Sequence, residues 1–225
     1  MGLTFNTNNI TGMTFNGQTV RRCFFNGASV FPALTKAATQ PTSAMTSNTK
    51  PSPYTAYYSS RYTDTYAAYK AFTNAISTQG WASCSNNKDG TAWIALDLGS
   101  GKLLRDVKVS LWNRDAASAN GPYNVTIYGT NTTPTNGGGT TFTEMPADAV
   151  PLGVFSGLVG GTRKAAAVLD CVGDETSGCT RDTAYIRNRQ NYGFRYIIIS
   201  STSWNQAGGT YMAIGCIKID GNFES

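Results

Sequence analysis

The chain contains no histidine. That removes the commonest general base at neutral pH and the commonest metal ligand, and with them every Ser-His-Asp and Cys-His reading of a hydrolase. Charge is scarce too: Asp, Glu, Lys and Arg make up 14% of the 225 residues. Glycosidase chemistry needs two facing carboxylates, and the 13 acidic residues sit mostly in turn segments such as Asp170, Asp174-Glu175 and Asp182. The chain therefore reads as non-catalytic. Its net charge of +5 is spread out, no basic run being longer than the two residues of Arg21-Arg22, so there is no polybasic arm and no positive motif for nucleic acid. That charge would equally favour an acidic polysaccharide or lipopolysaccharide. No apolar run approaches the roughly 18 residues of a membrane span, and no membrane insertion is expected. The opening MGLTFN has neither the charged nor the apolar region of a secretory signal, and Asn6 spoils the myristoylation pattern. Sequons at Asn9, Asn124 and Asn131 then read as chance in an Asn/Thr-rich chain.

Cysteine is limited to positions 23, 84, 171, 179 and 216. Only Cys171 and Cys179 are close, at a spacing that fits no zinc pattern. A disulfide between them across the glycine-containing loop 172–178, and two free or buried thiols, both remain open. Long amphipathic helices are missing as well, which excludes a parallel α/β sheet with its crossover helices.

What the chain does have is 40% hydrophobic residues under a surface built largely from Ser, Thr, Asn and Gln. Such a surface suits fibres, virion shells and secreted binding proteins. Residues 1–31 hold a repeat: Thr4-Phe5-Asn6, Thr14-Phe15-Asn16 and Phe24-Phe25-Asn26 recur every ten residues. Asn16-Gly17 and Asn26-Gly27 are strong hairpin signals. Three such short strands bury little alone, so the element is expected to pack on the main domain, on a sister subunit or on another protein; a small meander folded on itself is the bland alternative. Residues 32–44 read as a linker, part of a Pro-, Thr- and Ser-rich stretch that runs to about residue 60. Tyr66–Ile76 reads as a short helical turn or loop.

Strands are expected at Ala92–Leu98, around Val107–Leu111 and Val125–Tyr128, and at Thr141–Glu144, Leu152–Phe155, Arg163–Leu169, Phe194–Ser201 and Met212–Ile219. Val107, Val109 and Leu111 alternate with Lys108 and Ser110, the period-2 pattern of a strand with one buried face. About eight antiparallel strands between Gly, Asn, Pro and Asp turns predict an all-β, two-sheet sandwich or jelly roll.

Several segments carry a resemblance. Ala68-Tyr69-Lys70-Ala71-Phe72, Gly80-Trp81-Ala82-Ser83, Ala92-Trp93-Ile94-Ala95-Leu96-Asp97-Leu98-Gly99 and Val107-Lys108-Val109 are similar to the front half of a coagulation-factor V/VIII type C, or discoidin, domain. Pro122-Tyr123-Asn124-Val125-Thr126-Ile127-Tyr128-Gly129-Thr130-Asn131, Phe142-Thr143, Phe194-Arg195-Tyr196-Ile197 and Ile214-Gly215-Cys216-Ile217-Lys218-Ile219 resemble its later strands, in the same order. The resemblance covers residues 45–221 and implies a galactose-binding-like jelly-roll β-sandwich with no enzymatic activity. Trp81 and Trp93 are expected to be core or rim residues. The N-terminal repeat, Met45–Tyr58 and Ser200–Gly209 resemble stretches of tailed-bacteriophage and prophage proteins that carry such a domain. They imply localisation in a virion, as tail fibre, baseplate or head decoration, attached to other virion proteins through residues 1–31. A homo-oligomer is expected, since multivalency rescues weak single-site sugar affinity.

The family's calcium loop usually has Asp after Ala-Phe; here Thr73 and Asn74 follow, leaving Asp64 or Asp89 to compensate. No cofactor is expected beyond that calcium option. The family's terminal disulfide would need a cysteine near position 45, which is absent.

A sugar site wants a flat aromatic face and planar polar groups. Trp112-Asn113-Arg114-Asp115 and Trp204-Asn205-Gln206 each follow a strand, and the resemblance places the binding surface in loops at one end of the sandwich. Trp112, Asn113, Arg114, Asp115, Trp204, Asn205 and Gln206 are the candidates for a host-surface glycan, with Trp81 and Tyr58 as weaker additions. Arg114 would supply a rigid donor fork. Arg195 is expected instead to be a structural arginine paired with a carboxylate. A purely structural protein-protein module is the competing function.

Overall fold

The computed structural model describes residues 14–15, 18–19, 23–25, 28–31, 34–75, 79–84, 92–114, 120–139, 141–158, 166–173, 176–184, 192–204 and 211–224, the first four segments as backbone only. Strands β1 (Thr14–Phe15), β2 (Gln18–Thr19), β3 (Cys23–Phe25) and β4 (Ala28–Phe31) lie in the N-terminal repeat. They pair as two antiparallel ladders, β1 with β2 and β3 with β4; the Asn-Gly positions read as turns lie outside the described residues. The remaining strands are β5 (Leu34–Lys36), β6 (Thr55–Tyr58), β7 (Trp81–Ala82), β8 (Ala92–Asp97), β9 (Leu104–Trp112), β10 (Pro122–Thr130), β11 (Val150–Ser156), β12 (Ala167–Asp170), β13 (Thr180–Arg181), β14 (Tyr196–Trp204), β15 (Ala213–Ile214) and β16 (Cys216–Glu224). Two short 3-10 turns follow β6, Asp64–Tyr66 and Ala68–Phe72, the second within the stretch 66–76 read as helical turn or loop.

The strands form a six-stranded sheet in the order β13-β11-β10-β14-β8-β6 and a four-stranded sheet in the order β12-β9-β16-β5, with neighbouring strands antiparallel throughout both. Alternation builds the core between them. Val107, Val109 and Leu111 of β9 and Ile217 and Ile219 of β16 face Val125 and Ile127 of β10, Ile94 and Leu96 of β8, and Ile197 and Ile199 of β14 in one buried cluster. Each such side chain contributes about 1.5–3 kcal/mol when withdrawn from water.

The six-stranded sheet has a second apolar face. Trp93, Ala95 and Ile198 alternate outward from that core and are buried beneath Met145 and Ala149. Thr141–Glu144, expected as a strand, is instead part of this cover: the Trp93 indole donates to the Thr143 carbonyl at 2.9 Å and the Thr143 amide to the Ser59 carbonyl at 3.0 Å. The cover lies so close that a Cβ on Gly137 would stand 1.7 Å from the Ser59 carbonyl oxygen.

Residues 34–40, inside the segment expected to be a linker, belong to the sandwich. Leu34–Lys36 pairs with Asn222–Glu224, the Ala37 amide donates to the Gly221 carbonyl at 2.9 Å, and Gln40 bridges Ile219. The sandwich therefore spans 34–224 rather than 45–221. The edge of β16 would otherwise offer unpaired backbone groups, and β5 satisfies them.

Register fixes two poles. Strand β9 runs from Leu104 at one end to Trp112 at the other, and β16 returns from Cys216 opposite Trp112 to Phe223 opposite Leu104. Strand β5 begins at Leu34 opposite Glu224, so residues 1–33 join at the Leu104 pole. At about 3.3 Å per residue the two poles are roughly 26 Å apart along β9.

Arg105 is the main polar intrusion into this frame. Asp106 takes a left-handed φ of 52° and accepts from the Asn222 side-chain amide at 2.9 Å. The irregularity breaks the alternation, so Leu104 and Arg105 are both fully buried. The Arg105 guanidinium meets Glu224 at 3.2 Å.

The Cys171–Cys179 disulfide left open by sequence is not formed: Cys84, Cys171, Cys179 and Cys216 are free thiols. The Cys171 sulfur lies against Gly153, where an added Cβ would meet it at 3.0 Å, while the Cys179 sulfur faces the carbonyls of Val168 and Ser177. Burial pushes the thiols of Cys179 and Cys216 up to about 11 and that of Cys171 still higher. Unfolded thiols ionise near pH 8.5. Above that pH the unfolded chain holds fewer protons than the native one, so stability is full below the unfolded pKa and declines as pH rises toward 11. Chemical denaturation at pH 7.5 and 10 should show the lower midpoint at pH 10, and serine at Cys179 and Cys216 should reduce the difference.

Candidate functional site

The Trp112 pole carries a cluster of aromatic side chains around the exposed Tyr62. After β6 the chain continues past Tyr58 to Ser60, whose carbonyl accepts from the Trp81 indole at 3.0 Å, and to Tyr62, whose amide donates to the Ala82 carbonyl at 2.8 Å. Strand β7 pairs with β15, placing Tyr211, just before β15, alongside. Arg114 arrives from β9. Its backbone packs on Gly215, where a Cβ would meet the Asn113 carbonyl oxygen at 2.7 Å and the Arg114 Cα at 2.9 Å.

The side chains form a layered cluster. Tyr62 is 45% exposed and stacks on Tyr211, with ring centroids 5.2 Å apart and planes at 27°. Tyr66 tilts against Tyr62 at 6.0 Å. Beneath them the Arg114 guanidinium lies 4.8 Å from the Tyr66 ring centre and 5.5 Å from that of Tyr211, and its Nη2 donates to the Tyr211 hydroxyl at 3.3 Å. Arg114 is only 6% exposed, so two rings clamp the cation and orient its fork. On the rim Arg61 pairs with Asp64 at 2.9 Å, and the Lys70 ammonium donates to the Thr65 carbonyl at 2.8 Å and to Gln79 at 3.0 Å. An exposed aromatic face backed by an oriented arginine is suited to a ring with an apolar side and polar edges.

The candidates read from the sequence fare unevenly against this geometry. Arg114 is in the cluster. Asn113 is buried against Gly121, where a Cβ would stand 2.7 Å from its Oδ1. Trp112 lies opposite Cys216 on the outer face of the four-stranded sheet, half-buried, with the Lys218 ammonium 5.5 Å from its ring centre. Trp204 is 8% exposed and part of the core cluster, so it does not present an open face. The register shift between Asn124 and Thr126 sets Ser200–Ser203 of β14 against Asn124–Thr126 of β10, one extra residue that changes the inward parity before position 204. The ends of β9 and β14 do lie at one pole, since the Ala213 amide donates to the Asn120 carbonyl at 2.8 Å and Pro122 pairs with Trp204. Asp115, Asn205, Gln206 and Asp89 lie outside the described residues. Trp81 is fully buried, as expected of a core residue, and Tyr58 is buried too.

Arg195 is held by a carboxylate: its Nε and Nη2 donate to the two oxygens of Asp97 at 2.7 and 2.8 Å, and this pairing raises its pKa further. For a hard cation, which wants several oxygens with carboxylate among them, the described candidates do not fit. Asp64 is engaged by Arg61, Thr73 donates to the Lys70 and Ala75 carbonyls, and the Asn74 amide donates to the Pro41 carbonyl. Among the described residues no group of three or more His, Cys, Asp or Glu is arranged to hold a metal ion.

Tyr62, Tyr66 and Tyr211 do not stand out in the sequence as site residues. A signal is nevertheless present in Arg61-Tyr62-Thr63-Asp64-Thr65-Tyr66, two tyrosines in a polar, non-helical segment directly after a strand.

No protein-family model matches the chain, and no curated protein matches it. Solved structures do. A chitosan-binding module from a chitosanase/glucanase of Paenibacillus is 15% identical, with 73% of this chain and 92% of that one covered at a TM-score of 0.44. A family 32 carbohydrate-binding module from Clostridium perfringens, solved in complex with galactose, is 12% identical over 74% and 93%, at 0.42. An F5/8 type C domain from Bacteroides fragilis is 14% identical over 78% and 95%, at 0.44.

Proposed function

We propose that the chain is a non-catalytic, glycan-binding component of a tailed-bacteriophage or prophage virion. It binds host-surface saccharide at the Tyr62–Tyr211 pole and attaches to other virion proteins, as a homo-oligomer, through residues 1–31. The observation that carries the binding half is the half-exposed Tyr62 stacked on Tyr211, whose ring with that of Tyr66 clamps Arg114. The polarity of the sandwich supports the pairing of roles, because residues 1–33 join at the pole opposite Tyr62. An attached particle would therefore lie behind the module and leave the tyrosines facing outward. A glycan array and host-envelope fractions probed with the full chain test the proposal: saccharide-dependent retention is expected, and none on any saccharide or fraction would overturn it.

The second reading, a protein-protein module that decorates a capsid or joins tail proteins, is favoured by the two N-terminal hairpins. Deleting residues 1–31 separates the roles. The shortened chain is expected to keep its melting temperature within about 2 °C, as for removal of a surface element, and to retain saccharide binding while losing incorporation into particles. Incorporation at the wild-type level would remove the attachment role from that segment.

A further inference from the structure

The saccharide taken at the tyrosine pole is, we infer, an acidic one, bearing carboxylate or phosphate; this rests on the glycan-binding reading of the same site. Among the described residues the Tyr62–Tyr66–Tyr211 cluster and the segment that carries it hold three cations and one carboxylate. Arg114 lies under the rings, Arg61 is the residue before Tyr62, and Lys70 is anchored on the Thr65 carbonyl next to Tyr66. Asp64 is the one acidic group, 85% exposed and drawn to Arg61 at 2.9 Å.

Arg114 matters most because of its setting. A guanidinium withdrawn from water and clamped between two rings keeps its charge and its planar fork, and charges act more strongly where the local dielectric is low. A neutral sugar uses the ring face of Tyr62 but gains nothing from the surplus cations. An acidic sugar uses both, and its affinity carries the signature of electrostatic attraction, a fall with ionic strength as the screening length shortens from about 10 Å at 0.1 M to about 3 Å at 1 M salt.

Arg61 and Asp64 allow a test that a structural role does not mimic. Both are surface residues of one ion pair, so Arg61→Gln and Asp64→Asn break the same contact. If the pair only holds the loop, the two variants change binding in the same direction. If field at the site decides, Arg61→Gln weakens binding and Asp64→Asn tightens it, each by about 2- to 5-fold, as expected of exposed charges. The probes are two matched pairs: polygalacturonate against its methyl ester for carboxylate, and phosphomannan against mannan for phosphate. The full chain should prefer the acidic member of at least one pair, lose most of that preference at 0.5 M salt, and show opposite shifts in the two variants; which pair discriminates identifies the anion. Equal binding to charged and neutral members, salt-independent binding, or shifts of the same sign overturn the inference. Binding of neutral glycans alone on the array would sink it while leaving the glycan-binding site intact, whereas silence toward every saccharide would remove both.

Discussion

Replacing Glu224 with alanine should lower the unfolding free energy by about 3–5 kcal/mol, the range for stripping one partner from a buried ion pair. In a chain of this size that is a fall in melting temperature on the order of 10 °C. The reason lies in Arg105, whose side chain is 0% exposed and which meets Glu224 at 3.2 Å. It cannot shed its charge, and the left-handed turn at Asp106 fixes its place in β9. Without the carboxylate, the guanidinium stays withdrawn from water with this ion pair removed. Glu224 also closes the β5–β16 pairing at Leu34, so the pole where the N-terminal segment joins should loosen first, seen as faster amide exchange in residues 34–36. The exposed Arg61–Asp64 pair is the contrast: Asp64→Asn should change stability by less than about 1 kcal/mol. Urea unfolding of the two variants makes the comparison, and a Glu224→Ala chain as stable as Asp64→Asn would show that the buried pair is not what secures the edge.

Tyr62→Ala is expected to weaken saccharide binding by at least about tenfold, since a well-placed aromatic anchor is worth about 2 kcal/mol or more in an interface, with the melting temperature nearly unchanged because nearly half of the ring is already in water. Tyr211→Phe keeps the stacked ring and removes only the hydroxyl that accepts from Arg114. It should cost about 2- to 12-fold, one ordinary hydrogen bond. Trp112→Ala should leave binding within about threefold, because Trp112 belongs to the outer sheet face beneath Lys218 and distant, unshared contacts are nearly additive. Trp204 sits in the core, so its replacement by alanine should act through stability, by about 3–5 kcal/mol, rather than through recognition. Binding lost in Trp112→Ala and retained in Tyr62→Ala would move the site to the sheet face.

The sandwich was legible in the sequence wherever one face of a strand is buried. Val107, Val109 and Leu111 alternate with Lys108 and Ser110, and β9 has that pattern of burial. Segments whose backbone bonds run to unrelated partners were not legible. Leu34–Lys36 lies among Pro and Thr and is made a strand by Asn222–Glu224, almost 190 positions away. Thr141–Glu144 has strand-like composition yet serves as a cover, held by Trp93 and Ser59. The site shows the same division. Arg114 is visible because it follows a strand, whereas its partners Tyr66 and Tyr211 come from distant segments that only the β7–β15 pairing brings alongside. Trp204 looks exposed by the company of its loop. One extra residue in β14 opposite Asn124–Thr126 turns it inward, and no local pattern encodes that.

Saturation-transfer difference spectroscopy with the full chain, deuterated except for its tyrosine rings, tests the central claim most directly. With the saccharide that the array selects, the ligand protons on one ring face should receive magnetisation from tyrosine, and that transfer should vanish in Tyr62→Ala while the fold persists. Transfer that survives Tyr62→Ala unchanged, or that arises only when the tryptophan rings are the protonated ones, would contradict the placement of recognition at the Tyr62–Tyr211 pole.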